Sequence, residues 1–363
     1  MALNGYDRMK NALDRKPIGE IPYADSLWGE TYHRYVREGF FKDGDDPGAH
    51  FGMSYHGAGW INCIVELDTP EEIVEETDET RLVRNGNRAT LRWHKQHSST
   101  PEHVDFYVQD RATWEEFARP KLLDLDMRRI DVNNYRHQRK VAREQNKFFT
   151  WSGIAPFEQM HPLCGHEYML MGMALEPEWV TDMVDVYTDL TIRHLEALFA
   201  EAGDPDGMFF YEDMGFKERP FMSPAMYEEL VQPGHAKLFD WAHKRGLKVM
   251  VHSCGFVEPL VPGLIDAGMD CLQAMEVKAG MDLPRLFGKY GDRIAFMGGF
   301  DVRELISNDR ARIRAEFERA VVPVLAGGGG YILHSDHSIP PEVDHDTLRY
   351  FFDYGVELAA KYR

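Results

Sequence analysis

Two short stretches of this chain carry residue types that bind metals: His252-Ser253-Cys254 and, much later, His334-Ser335-Asp336-His337. Each follows a short apolar run that reads as a β-strand, residues 247–251 and 330–333. In a strand, residues i and i+2 point to the same side, so His252 and Cys254 reach one point together. A thiolate with imidazoles is a zinc-type donor set, and three protein ligands leave a fourth position open for chemistry. If the second strand end lies beside the first, His337 supplies the third ligand. The same residues also have a structural reading. A buried cysteine often serves as a small hydrophobe, and His334 and His337 can be hydrogen-bonded loop residues.

The elements that must position these residues alternate. Residues 21–25 read as a first strand, and further strands are predicted at 148–151, 208–211, 247–251, 270–275, 294–297 and 330–333, with amphipathic helices between them. Ser223-Pro224 opens one such helix, serine as N-cap and proline in the first turn. Strands alternating with helices predict a parallel sheet. Polar residues gather just after these strands: Asp25, Glu212, Asp213, His252, Cys254, Glu276, Asp301, Asp336 and His337. In a (β/α)8 TIM-type barrel those strand ends converge on one face, where the active site is built. An open doubly wound sheet places ligands only at a switch point, so the expectation is one barrel over residues 1–363.

Residues 48–110 depart from this pattern. A hairpin is predicted over 80–93, with Asn85-Gly86 supplying the positive φ of a tight turn. The region reads as an antiparallel insertion lying over the barrel as a lid or flank. The run of four glycines at 327–330 lies between a helix and the next strand. A phosphate loop follows a strand and opens a helix, so these glycines read as a helix-ending turn.

Composition narrows the class. Sixty acidic against 41 basic residues give a net charge of −19, a field that repels phosphate backbones and argues against nucleic acid as a partner. The four cysteines (Cys63, Cys164, Cys254, Cys271) are scattered without a C-x-x-C pair, which is reducing-compartment usage. Residues 1–10 carry charges where a signal peptide needs an apolar run, and no segment has the length of a membrane span. The expectation is a soluble, cytoplasmic protein.

The runs His252-Ser253-Cys254-Gly255, Gly298-Gly299-Phe300-Asp301 and the segment 330–340 resemble the uroporphyrinogen decarboxylase-like superfamily. So do Glu212-Asp213-Met214 followed by Ser223-Pro224, and Asp14-Arg15-Lys16-Pro17 ahead of Ile21-Pro22. The resemblance implies a barrel fold and two kinds of chemistry. True decarboxylases of this superfamily remove acetate carboxylates from a tetrapyrrole without a metal, binding it through an arginine motif near the N-terminus. The corresponding residues here, 23–31, contain no arginine, and bidentate arginine is the group that matches clustered carboxylates. The other arm consists of zinc methyltransferases that work with corrinoid proteins. Their motif is His-x-Cys with a late Cys before Ile-Pro-Pro. His252 and Cys254 match its first part, while His337 stands where the late Cys would be, ahead of Ser338-Ile339-Pro340-Pro341.

What the resemblance implies is therefore a zinc-dependent methyltransferase with His252, Cys254 and His337 as ligands. One thiolate and two neutral imidazoles leave the site net positive and favour harder, oxygen-containing ligands. Glu212 or Asp213 completes the shell or orients a ligand, unless one of them caps the following loop, and Glu276, also at a strand end, is either an outer partner of a histidine or a salt-bridged carboxylate. Asp25 and Trp28, near the start, are the candidates for contact with a corrinoid (cobalamin). No corrinoid-binding signature is visible in the chain, so the cobalamin would arrive on a partner protein. The alternatives are a metal-free lyase acting on a smaller acid, and a non-catalytic metal- or corrinoid-binding accessory protein. The missing arginines predict no turnover of uroporphyrinogen in a direct decarboxylation assay. Turnover at the level of a genuine decarboxylase would place the chain in the other arm.

Overall fold

A computed structural model describes residues 3–17, 20–95 and 100–362. Eleven strands are present among the described residues: β1 (Tyr55–Ala58), β2 (Glu72–Glu76), β3 (Thr80–Arg84), β4 (Ala89–His94), β5 (Glu102–Phe106), β6 (Phe148–Ile154), β7 (Gly207–Tyr211), β8 (Lys248–Ser253), β9 (Cys271–Ala274), β10 (Ala295–Gly298) and β11 (Tyr331–Ile332). Seven form one parallel sheet in the order β1-β6-β7-β8-β9-β10-β11. The other four, β2 to β5, form an antiparallel sheet.

The first predicted strand is reduced to a single parallel bridge between Tyr23 and Leu333. Its backbone bonds to both edges of the parallel sheet: Leu333 N–H to Pro22 O at 3.0 Å, Ala24 N–H to Leu333 O at 3.1 Å, and Ser54 N–H to Tyr23 O at 2.9 Å. Pro22 has no N–H to offer a ladder, which helps explain why this segment makes a bridge rather than a strand. The antiparallel region is also narrower than the predicted 48–110. β1 belongs to the parallel sheet, pairing Tyr55 with Phe148, and the antiparallel strands begin at Glu72.

Alternation along the strands sorts side chains by height as well as by face. On one face, Phe148, Phe209, Met250, Cys271, Ala295 and Ile332 pack with Met9, Ala12 and Leu13 of the helix Gly5–Leu13. Farther along the same face, two-residue steps lead to Ser152, Tyr211, His252 and Gln273. One end of this face is thus sealed by apolar packing, and the other carries the polar groups. The opposite face, including Phe149, Trp151, Phe210, Val249 and Val251, is buried against the surrounding helices. Burial on both faces is what a parallel sheet with crossover helices requires.

The hairpin forms as predicted, β3 against β4 with Leu82 opposite Arg92, but its turn differs from the expectation. The left-handed residue is Arg88 (φ 55°), not Gly86. A Cβ on Gly86 would lie 2.3 Å from the Glu66 carbonyl oxygen, so close approach is the reason for glycine there. The antiparallel sheet rests on the helix Pro156–Leu175, which follows β6. Asn87 Nδ2 donates to the Pro162 carbonyl at 3.1 Å, and Ala89, Leu91, Phe106 and Tyr168 form a small apolar cluster. At Gly165 the helix kinks (φ 70°, ψ 161°), and a Cβ there would come within 2.6 Å of the Phe106 ring. Gly165→Ala is expected to cost about 1–3 kcal/mol through overpacking, read as a lower denaturation midpoint. An unchanged midpoint would mean that the antiparallel sheet does not rest on this kink.

Candidate metal centre

β7 and β8 run parallel with Tyr211 level with His252. Two residues past each lie Asp213 and Cys254, which the register therefore sets side by side. Cys254 N–H donates to Asp213 Oδ1 at 2.7 Å. His252 Nε2 lies 3.2 Å from Cys254 Sγ and 3.5 Å from Asp213 Oδ1. One donor atom from each of Asp213, His252 and Cys254 lies within 4.8 Å of the other two. Donors sharing a tetrahedral zinc sit roughly 3.3–3.8 Å apart, given metal–ligand distances of about 2.0–2.3 Å. The donor set fits such an ion in kind and in spacing.

The surroundings hold these donors in place. His252 Nδ1 contacts Gln273 Oε1 on the neighbouring strand β9, the register partner of His252. An N–H directed to that amide oxygen leaves the Nε2 lone pair facing Cys254, the arrangement of a metal-ligating histidine. Gly255 N–H donates to Glu276 Oε2 at 2.9 Å. Carboxylates from the strand ends on either side thus hold the consecutive amides of Cys254 and Gly255. Burial, then the Asp213 and Glu276 carboxylates, keeps the Cys254 thiol well above its ordinary range. A thiol in that setting becomes a thiolate only with a cation beside it.

His337 is not part of this group of donors. β9 and β10 lie between its strand and β8. Its ring instead stacks on Trp28, centroids 5.7 Å apart. Asp213, rather than His337, lies within 4.8 Å of His252 and Cys254 through a donor atom, and the pairing of β7 with β8 is what brings it there. The Asp25 side chain is buried and accepts Ser335 N–H at 2.9 Å and Ser335 Oγ–H at 3.0 Å, with His334 Nδ1 3.7 Å away. It ties the N-terminal segment to the end of β11. Asp336 likewise accepts the Val277 and Val302 amides, each at 2.8 Å, joining the loops after β9 and β10; burial pushes its carboxyl up to about 7.

Glu212 points away from Asp213 and is fully buried. It accepts the Phe157 and Glu158 amides, both at 2.9 Å, at the start of the helix Pro156–Leu175. It also pairs with His235 Nε2, whose Nδ1 lies 2.9 Å from the Tyr227 hydroxyl. Glu212 thus anchors the helix that walls the site.

That helix contributes residues that the sequence reading passed over as ordinary helix positions. A cavity of about 580 Å³ reaches Cys254 and Asp213 and is also lined by Glu158, His161, His166 and His103. His103 comes from β5 of the antiparallel sheet. Burial, then the Asp213 and Glu212 carboxylates, pushes the Glu158 carboxyl up to about 9. Burial brings His161 down to about 4. His166 is lowered to about 4 by burial and by its histidine neighbours. No arginine or lysine is among the described residues lining the cavity.

Residues 149–357 match the uroporphyrinogen decarboxylase (URO-D) family. The chain belongs to that family. A uroporphyrinogen decarboxylase from Streptomyces griseus is 28% identical over 201 residues, covering 55% of this chain and 52% of that protein. The chain spans about half the length of this curated relative. Among solved structures, a methyltransferase from Methanosarcina mazei superposes over 98% of this chain and 99% of its own, with a TM-score of 0.64 at 15% identity. That likeness is one of fold. Among the described residues no helix is long and apolar enough to cross a membrane.

Removing the buried Glu212 carboxylate strands His235 and two amides. Glu212→Ala is expected to lose about 3–5 kcal/mol of stability, measured by chemical denaturation. A loss below about 0.5 kcal/mol, within the range of ordinary surface changes, would contradict its role as the helix anchor.

Proposed function

We propose that this protein is a metal-dependent methyltransferase that exchanges a methyl group between a corrinoid and a small thiol or oxygen compound. The ion, zinc in kind, would be held by Asp213, His252 and Cys254 within a closed barrel over residues 1–363. The observation that carries the reading is the meeting of these three donors within 4.8 Å of one another, two of them, Asp213 and Cys254, lining the cavity. The bound ion would supply Lewis acidity, holding the acceptor as an anion near neutral pH.

The chain's own residues do the rest. Gln273 orients His252, and Glu276 fixes the Cys254 loop. Asp213 adds a second negative ligand beside the thiolate, so the set neutralises a divalent ion, where two histidines and one cysteine would leave it positive. A neutral site places less weight on oxygen acceptors than the His337 reading did, and thiols stand level with phenols and alcohols. Glu158, protonated near neutral pH, is placed to hold a proton beside the cavity. The fold's polar end exposes a row of aromatic surface. Trp60 is 50% exposed and Tyr211 39%, with ring centroids 6.5 Å apart, and Tyr211 meets His252 edge-on at 5.4 Å. Such a patch suits a flat macrocycle brought by a partner protein. The absence of arginine and lysine among the described residues lining the cavity is the observation that weighs against a polycarboxylate substrate.

Incubating the purified protein with methylcobalamin and a panel of thiols, phenols and alcohols tests the reading through the corrinoid spectrum. Demethylation of the corrinoid with at least one acceptor is expected, lost on chelation and reduced at least about 100-fold in Cys254→Ala, in line with loss of a transition-state contact of a few kcal/mol. Demethylation that persists unaltered in Cys254→Ala or after chelation would sink the metal mechanism. Full activity on a carboxylic acid after chelation would favour a lyase.

A further inference from the structure

The second group of donors in the cavity is independent of the first. His103, His161 and His166 each place one ring nitrogen within 4.8 Å of the other two. Their rings stack nearly parallel: His161 and His166 at 4.3 Å and 14°, His103 and His166 at 5.1 Å and 16°, His103 and His161 at 5.5 Å and 28°. An imidazole binds a metal in its ring plane, so an ion shared by the three requires the rings to turn from this stack, as side-chain rotation allows. In an uninterrupted helix, residues five apart face different directions. The kink at Gly165 redirects the chain between His161 and His166, and the same glycine is where Phe106 of β5 docks. The contact that seats the antiparallel sheet thus also brings His103 to the two helical histidines.

His161 carries a further sign. Its Nε2 lies 2.8 Å from Glu158 Oε1, while its Nδ1 is buried without a hydrogen-bond partner among the described residues. A buried, unpaired ring nitrogen is costly whether it bears a proton or a lone pair. An ion on Nδ1 removes that cost, and an Nε2–H donated to Glu158 Oε1 then orients the ring, as the outer N–H of a metal-bound histidine commonly does.

We propose that His103, His161 and His166 bind a second divalent transition-metal ion, facing the first site across the shared cavity. Three imidazoles suit zinc, cobalt, nickel or copper over magnesium or calcium, and they leave a position open toward the cavity. Three neutral ligands do not offset the ion's charge, so this site draws an anionic oxygen of a substrate, a carboxylate or phenolate, into the cavity that Cys254 also lines. The proposal goes beyond the methyl-transfer reading and stands without it.

Equilibrium dialysis of the full chain against Co2+, followed by absorption spectroscopy, separates the two sites. Wild type is expected to bind two ions per chain with a thiolate-to-cobalt charge-transfer band. His103→Gln/His166→Gln should bind one and keep that band, and Cys254→Ser should bind one and lose it. Equal stoichiometry in wild type and the double histidine variant would overturn the proposal. One ion in wild type, without the thiolate band and lost in the double variant, would uphold this site and defeat the Asp213/His252/Cys254 reading. If the double variant fails to fold, diethylpyrocarbonate footprinting of Cys254→Ser decides. Protection of His103 and His166 by Co2+ supports the site, and unchanged modification overturns it.

Discussion

Cys254 sits at the end of β8 between two carboxylates supplied by its neighbouring strands, and the site depends on how they hold it. Asp213 takes the Cys254 amide and Glu276 takes the Gly255 amide. These bonds fix the thiol against His252. They also surround it with negative charge that a thiolate would not tolerate unaided. The structure is consistent if a cation completes the group, because a divalent ion reverses the sign of the local field. Positioning and electrostatics therefore make the same demand at this point.

The scaffold supports that arrangement from two directions. Apolar packing with the helix Gly5–Leu13 seals the far end of the sheet's inner face, leaving the strand ends around β8 as the place where polar groups face a cavity. On the flank, the Glu212–His235 pair pins the start of the helix Pro156–Leu175, and that helix carries Glu158 and two of the stacked histidines. A buried hydrogen-bonded pair thus sets one wall of the site. The antiparallel sheet closes the same wall through Phe106 and Gly165, so residues far apart in the sequence line a single cavity.

Much of this was legible in the chain. Strand–helix alternation located the parallel sheet, the two-residue period placed His252 with Cys254, and the hairpin at β3 and β4 was found with its boundaries nearly right. What sequence could not supply was which strands are neighbours. His337 follows a strand as Asp213 does, but β11 is three places from β8 while β7 is adjacent. Glu212 and Asp213 sit together in the chain, yet alternation sends one into the core and the other to the cavity. His161 and His166 looked like unrelated helix positions because their convergence rests on a kink. Asp25, a candidate for corrinoid contact in the sequence, has its carboxylate engaged by the Ser335 amide and hydroxyl.

The central claim is that Asp213, His252 and Cys254 share one ion. An anomalous-difference map collected at the zinc edge from a crystal grown with zinc tests it most directly. The account predicts a peak about 2.3 Å from Cys254 Sγ and about 2.0–2.2 Å from His252 Nε2 and an Asp213 oxygen. Strong peaks elsewhere on the chain, with none at these three residues, would contradict it.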